Sequence, residues 1–130
     1  MIRIIPRLDI KGPNVVKGLC FDGYRVIGKP EILAKFYYKE GADELFFQDV
    51  VASLYERNNL LEIVSLTAGQ VMIPITVCGG IRNIDDINEA LKAGADKVGI
   101  NTAAIKNPEF FAYRALFSVK CFSFFFPAQY

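Results

Sequence analysis

Short apolar runs alternate with amphipathic stretches along most of this chain, and most runs stop at glycine or an acidic residue. The stretch Ile73-Pro74-Ile75-Thr76-Val77-Cys78-Gly79-Gly80-Ile81 shows the pattern best: a β-branched run closing on two glycines. Unbroken runs of this kind read as parallel strands buried on both faces. A helix over Asp85–Ala93 follows, with Asn83 as N-cap, Asp86 at its third position, and Ile84, Ile87, Ala90 and Leu91 along one side. Strand, glycine turn and helix start make either a phosphate cradle or simply a tight turn. These residues alone leave both readings open.

The same grammar extends in both directions. Ile2 to Leu8 reads as a first strand with Asp9 just past its end. A polar, glycine-bearing stretch from Lys11 to Lys29 follows, longer than an ordinary connection, with Val15-Val16-Lys17 as a possible short strand. Pro30 opens a helix whose predicted buried stripe is Ile32, Leu33, Phe36 and Tyr37, and Gly41 closes it as a left-handed cap. Asp43 to Asp49 is the second strand. Asn58 to Ala68 is the second helix, carrying Leu60, Leu61, Ile63, Val64 and Thr67. Lys97 to Ile100 is the fourth strand, with Asn101-Thr102 behind it. Asn107-Pro108 then caps a fourth helix that carries Phe110, Phe111, Leu116 and Phe117.

Alternating strands and helices predict an α/β fold with a parallel sheet and right-handed crossovers. Lys39-Glu40-Gly41-Ala42-Asp43 also recurs as Lys92-Ala93-Gly94-Ala95-Asp96, each copy where a helix closes and a strand opens. A repeat of paired βα units suits a (β/α) TIM-type barrel, with flavodoxin-like strand order as the alternative. The expected organisation is a half-barrel of four βα units over residues 1–119. Residues 120–130, an aromatic run, are either a tail or a fifth strand.

Bulk properties narrow the chemistry. The 130 residues are 52% hydrophobic and 22% charged, ordinary for one soluble α/β domain, and the formal charge of +1 gives no case for nucleic acid as partner. No apolar run reaches spanning length and the first residues lack a signal-peptide layout, so no membrane association and a cytoplasmic setting are expected. Three cysteines at no metal-like spacing argue against a disulfide framework. Histidine is absent, which leaves carboxylates, lysines and cysteines for acid–base work. No metal or cofactor is expected.

In both candidate folds ligands bind at the carboxyl ends of the strands. Those ends carry Asp9 with Lys11, then Asp49, then Cys78-Gly79-Gly80, then Asn101-Thr102. Acids, an amide-rich turn and neutral hydrogen-bonding groups suit a phosphorylated, hydroxyl-rich small molecule. Asp9 and Asp49 also read as turn residues bonding local N–H groups. Cys78 is either a thiol near anion-binding amides or a small core residue. Lys17 is either a phosphate partner or a solvated lysine. At the opposite strand ends Arg3, Glu44 and Lys97 form either a polar ring or ordinary surface charge.

Taken together, these residues resemble the cyclase subunit of imidazole glycerol phosphate synthase, a (β/α)₈ barrel of histidine biosynthesis. The motifs are Leu8-Asp9-Ile10-Lys11 with Val15-Val16-Lys17-Gly18, Gly41-Ala42-Asp43-Glu44-Leu45 with Asp49 and Ala52-Ser53, Thr76-Val77-Cys78-Gly79-Gly80-Ile81-Arg82, and Gly94 to Ala104. The resemblance runs from about Met1 to Pro108 and covers the amino-terminal half of the family's barrel. It implies that Asp9 is one of two catalytic aspartates, a general acid/base in ring closure and carbon–nitrogen cleavage. It makes Lys17 and Asp49 active-site residues, and gives Gly79, Gly80, Asn101 and Thr102 to a substrate phosphate. Arg3, Glu44 and Lys97 become the gate for ammonia from a glutaminase partner, with Asp96 at the docking face.

The chain also departs from that pattern. Cys78 stands where the family has the first of three glycines, and Gly99 where it has a serine-like residue. No acid marks the end of a fifth strand, where the second catalytic aspartate belongs. The expectation is a truncated or frame-changed cyclase, weak or inactive alone. A half-barrel that self-associates into a closed ring is the non-enzymatic alternative. The segment Arg7 to Asn14 also resembles cyclase paralogues that pass ammonia to sugars of surface polysaccharides.

Overall fold

The computed structural model describes residues 2–18, 23–51, 59–109 and 121–122. Its elements are β1 (Arg7–Lys11), β2 (Asn14–Gly18), β3 (Tyr24–Gly28), α1 (Pro30–Lys39), β4 (Leu45–Asp49), α2 (Asn59–Ala68), β5 (Ile75–Cys78), α3 (Ile84–Lys92), β6 (Lys97–Gly99), α4 (Thr102–Lys106) and β7 (Cys121–Phe122). They form one sheet in the order β3-β2-β1-β4-β5-β6-β7. From β1 through β7 every pairing along the main series is parallel, and each strand lies beside the next one across a crossover. A flavodoxin-like sheet reverses direction at a switch point, and this one does not. The chain winds one way, as a (β/α) barrel does, and spans part of one.

Register separates the two faces. Leu8, Phe47, Val77 and Val98 share a row, and all are buried beneath the helices together with Leu45, Ile75 and Ile10. From α2 the core receives Leu60, Ile63 and Val64, and from α3 Ala90. Each fully buried side chain of this size contributes about 1.5–3 kcal/mol. The alternate positions, Arg7-Phe46-Thr76-Lys97 and Asp9-Gln48-Cys78-Gly99, form two rows on the opposite, inner face.

The sequence repeat has a physical basis. Gly41 (φ 89°) and Gly94 (φ 112°) end their helices in the left-handed region. In both copies the glycine N–H and the following alanine N–H return to the last helical turn, Gly41 to Tyr38 O and Ala42 to Tyr37 O, Gly94 to Leu91 O and Ala95 to Ala90 O. The aspartate that follows then clamps the backbone at the amino end of the neighbouring, earlier strand in both directions. Asp43 N–H donates to Ile4 O and its carboxylate accepts Ile4 N–H, while Asp96 N–H donates to Ile75 O and its carboxylate accepts Ile75 N–H. Glu44 and Lys97 come next, so the repeat itself sets an acid beside a base 53 residues away.

Several boundaries differ from the sequence reading. The first regular strand is Arg7–Lys11, not Ile2–Leu8, and Asp9 lies within it. Ile4 O and Pro6 O do accept from Asp43 and Phe46, but Pro6 offers no N–H to complete a ladder. Past Asp9, Gly12 (φ 57°) lets the chain fold back, so the long polar stretch contains β2 and an unforeseen β3 in antiparallel pairing. In α1 the inward stripe is Pro30, Leu33, Ala34, Tyr37 and Tyr38. Ile32 and Phe36 are 65% and 54% exposed, because small Ala34 sets the face that approaches the sheet. A helix not foreseen from the sequence, Thr102–Lys106, follows β6 and ends at Asn107, and a 3₁₀ turn opens at Pro108 behind it. Asn107 Oδ1 does accept Glu109 N–H in a turn, while Phe110, Phe111, Leu116 and Phe117 lie outside the described residues. So do residues 123–130 of the aromatic run, whose Cys121–Phe122 pairs with β6.

Candidate functional site

The inner face of the sheet encloses an open cavity of about 940 Å³. Because strand side chains alternate, the residues reaching it come from every second position. Glu44, Phe46 and Gln48 line it from β4 and its approach, and Thr76 and Cys78 from β5. Arg7 enters from β1 and Lys97 from β6, and the turns that leave β5 and β6 close the carboxyl end.

At that end two turns face one space. Gly79 and Gly80 both adopt positive φ (97° and 76°), which side chains resist. Gly79 is also pressed against β4: a Cβ there would sit 2.6 Å from Asp49 O. Asn101 and Thr102 are exposed and line the same cavity, as does Asp49. Asn101 is the N-cap residue of α4, yet its side chain makes no cap hydrogen bond. The start of α3 is already satisfied. Asn83 Oδ1 accepts Asp86 N–H at 2.9 Å, and Asp86 Oδ2 accepts the N–H groups of Arg82 (2.7 Å) and Asn83 (3.2 Å). The predicted capping residues do cap, and they take up N–H groups at the start of α3.

Asp9 lies in the row of Gln48 and Cys78 on the inner face but is not among the residues that line the cavity. It accepts a hydrogen bond from Arg7 Nε at 2.7 Å. Asp49 Oδ1 accepts Val51 N–H at 2.9 Å, so this acid both shapes its turn and lines the cavity. Lys17 is exposed on β2 and is not among the residues that line the cavity. Cys78 is buried, and burial pushes its thiol above the ordinary range. Hydrogen bonds from Gly79 N–H and Gln48 and the charge of Arg7 offset part of that rise. A thiol held protonated is a poor nucleophile.

At the amino end of the strands Arg3, Glu44 and Lys97 meet. Glu44 Oε2 accepts from Arg3 Nη2 at 2.7 Å and Lys97 Nζ at 2.6 Å, and Oε1 accepts from Thr76 Oγ1 at 2.5 Å. The Glu44 side chain is 5% exposed, Lys97 14% and Arg3 53%. Burial raises the Glu44 carboxyl, but the hydrogen bonds from Lys97 and Thr76 and the charges of Lys97 and Arg3 outweigh it. Its pKa is therefore lowered. Asp96 sits at the same end, its carboxylate held by Ile75 N–H.

Sequence reasoning missed Arg7, Gln48, Thr76, Arg82 and Lys106 among the lining residues. The alternation Glu44-Phe46-Gln48 against Leu45-Phe47 was a readable signal for Gln48, and Thr76 with Cys78 a similar one. Nothing in the local pattern marks Lys106.

A partial (β/α) barrel with an amide-rich pocket at its carboxyl end is the class that fold and site define. Comparison with known proteins agrees: residues 3–121 match the family model described as histidine biosynthesis protein, and the chain belongs to that family. It is 62% identical over 107 residues to a Legionella pneumophila protein, covering 82% of this chain and 50% of the relative. It is 54% identical to a protein of Natranaerobius thermophilus, covering 82% and 43%. To one of Myxococcus xanthus it is also 54% identical, covering 82% and 42%. All three relatives are named imidazole glycerol phosphate synthase subunit HisF. The chain thus spans half or less of the length of these curated relatives. Among the described residues no helix is long and apolar enough to cross a membrane.

Proposed function

We propose that this chain is the phosphate-holding amino-terminal half of an ammonia-using cyclase barrel of histidine biosynthesis, with Asp9 as one of its two catalytic acids. One observation carries the reading: the Gly79–Gly80 and Asn101–Thr102 turns open into a single cavity on the sheet face that bears Asp9. Backbone amides at glycines let an oxyanion approach closely, and the Asn101 and Thr102 side chains add polar partners. The relatives are named as subunits of imidazole glycerol phosphate synthase, which supports a phosphorylated substrate and a second subunit.

In this reading Asp9 moves protons on the inner face, with Arg7 fixing its carboxylate. Asp49 faces substrate from the end of β4, and Lys17 belongs to the hairpin that leaves β1. Losing one member of an acid–base pair removes about two to four orders of magnitude. Asp9→Asn should lower turnover by that factor. The Arg3–Glu44–Lys97 cluster is the ammonia gate, and Asp96 at the same end contributes to docking a glutaminase subunit. A cytoplasmic setting suits a biosynthetic enzyme of this kind.

A second reading, self-association, is favoured by β3 and β7, which stand at the two edges of the sheet, each paired on one side only among the described residues. Sedimentation showing a well-folded monomer at micromolar concentration removes it.

The phosphate site is tested by titration calorimetry of the full chain with inorganic phosphate. Asn101→Ala and Thr102→Ala are expected to weaken binding together by about ten-fold, equal to about 1.4 kcal/mol, with circular dichroism unchanged. Equal affinity in the double variant, or no saturable binding by the wild type, contradicts the assignment.

A further inference from the structure

Gln48 is half-buried on β4 and lines the cavity. Register pairs it with Asp9 on β1 and with Cys78 on β5. It therefore stands between the acid and the residue that leads into the Gly79–Gly80 turn. Its neighbours fix which end of the carboxamide is which. Nε2 donates to Asp49 O at 3.2 Å, and a backbone carbonyl can only accept. Burial raises the Cys78 thiol, and a hydrogen bond from Gln48 is among the contacts that offset the rise, so Gln48 is again the donor. A carboxamide has two N–H groups and one carbonyl oxygen. Both N–H groups are thus engaged. Oε1 accepts from none of the described residues, and it is not buried from water.

We propose that Gln48 is a specificity-determining residue of this site, its Oε1 accepting a hydroxyl of the ligand whose phosphate sits at the Gly79–Gly80 turn. The inference rests on the phosphate reading above and adds the group that tells a phosphorylated sugar or polyol from a phosphate ester without hydroxyls. Neighbouring strands lie about 4.7–4.9 Å apart, so Gln48 begins one strand away from the residue before that turn. A ligand chain of roughly three carbons covers such a distance. The two N–H bonds hold Oε1 in one orientation, which lowers the ordering cost of using it. The same oxygen disfavours a carbonyl or carboxylate at that place, because two acceptors would then face each other. An ester that lacks the hydroxyl forfeits the hydrogen bond, worth about five-fold in affinity at a half-buried neutral group.

The test uses the full chain and titration calorimetry at fixed ionic strength with two probes of equal carbon count, glycerol phosphate and propyl phosphate. Wild type is expected to bind glycerol phosphate about five-fold more tightly. Gln48→Met and Gln48→Leu keep most of the volume and remove the acceptor. Each should abolish the preference by weakening glycerol phosphate while leaving propyl phosphate in place. Gln48→Glu still offers an acceptor, so it should weaken both esters through its charge and retain their ratio. A role confined to holding the Asp49 turn would move both esters alike in Gln48→Met and Gln48→Leu, and that result overturns the assignment. A wild type without preference, or a preference that survives both apolar replacements, overturns it too. In each of these cases the phosphate reading still stands, because the esters bind. Wild type that binds neither ester overturns both.

Discussion

Replacing Glu44 by glutamine should be among the most damaging single changes to this fold that leave side-chain size intact. Glu44 is a nearly buried carboxylate with three donors, from Lys97, Arg3 and Thr76. Arg3 is half-exposed, and its pair is screened to within about 0–1 kcal/mol. Lys97 is different: at 14% exposure its ammonium is mostly withdrawn from water and set against Glu44. Removing one partner of such a buried pair leaves the other uncompensated, at a cost of about 3–5 kcal/mol in full burial. Partial access of water to Lys97, and the amide oxygen that the substituted glutamine still offers Thr76, reduce this to about 2–4 kcal/mol. For a domain whose whole stability is about 5–15 kcal/mol, that is a large fraction. Urea unfolding followed by circular dichroism at one fixed protein concentration measures it, with the slope held constant between variants. Glu44→Gln with Lys97→Met should recover part of the loss, and Arg3→Ala alone should cost less than about 1 kcal/mol. A Glu44→Gln cost no greater than that of Arg3→Ala would refute the reasoning, because the burial asymmetry would then have no energetic meaning.

The same group sets a pH dependence. The folded Glu44 carboxyl titrates below its unfolded value, so the unfolded state binds the extra proton and stability rises with pH between the two. The stability gap between wild type and Glu44→Gln should be constant at neutral pH. It should begin to shrink as pH falls below about 4.3 and vanish below the folded value, as acid unfolding curves would show. The two helix-ending glycines should separate. Gly41→Ala meets open space and costs about 1 kcal/mol for its φ alone, whereas Gly94→Ala also drives a Cβ to 2.6 Å from Ala68 Cβ and should cost more by thermal unfolding. Asn83→Ala removes half of a reciprocal cap and should cost about 1 kcal/mol. Thr67 Oγ1 is buried without a hydrogen-bond partner among the described residues, so Thr67→Val should stabilise by up to about 1 kcal/mol in the same assay.

The parallel fold was legible because its strands are buried on the helix side and read as unbroken apolar runs, Ile75 to Val77 above all. The repeated Gly-Ala-Asp announced two equivalent helix-to-strand joints, and the reciprocal aspartate clamps explain why those residues recur. What failed, failed for local reasons. Apolar spacing in α1 fits two adjacent faces equally, and the small Ala34 chose the one that leaves Ile32 and Phe36 in solvent. Asp9 resembles a strand end because Gly12-Pro13 follows so closely, but that turn folds β2 back onto β1 and keeps Asp9 inside the sheet. Arg3, Glu44 and Lys97 lie far apart in sequence, and only register brings them to one point. Their meeting is geometry; their role as a gate is the proposal that geometry supports.

The central claim, one anion pocket shared by two turns on the face of Asp9, is tested most directly by amide chemical shifts in the isotope-labelled full chain titrated with inorganic phosphate. The account predicts saturating shifts at Gly79, Gly80, Asn101 and Thr102 that follow a single binding curve, with the amides around Glu44 and Lys97 unmoved. Shifts at only one of the two turns, distinct curves for each, or a response centred on the Glu44 cluster would contradict it.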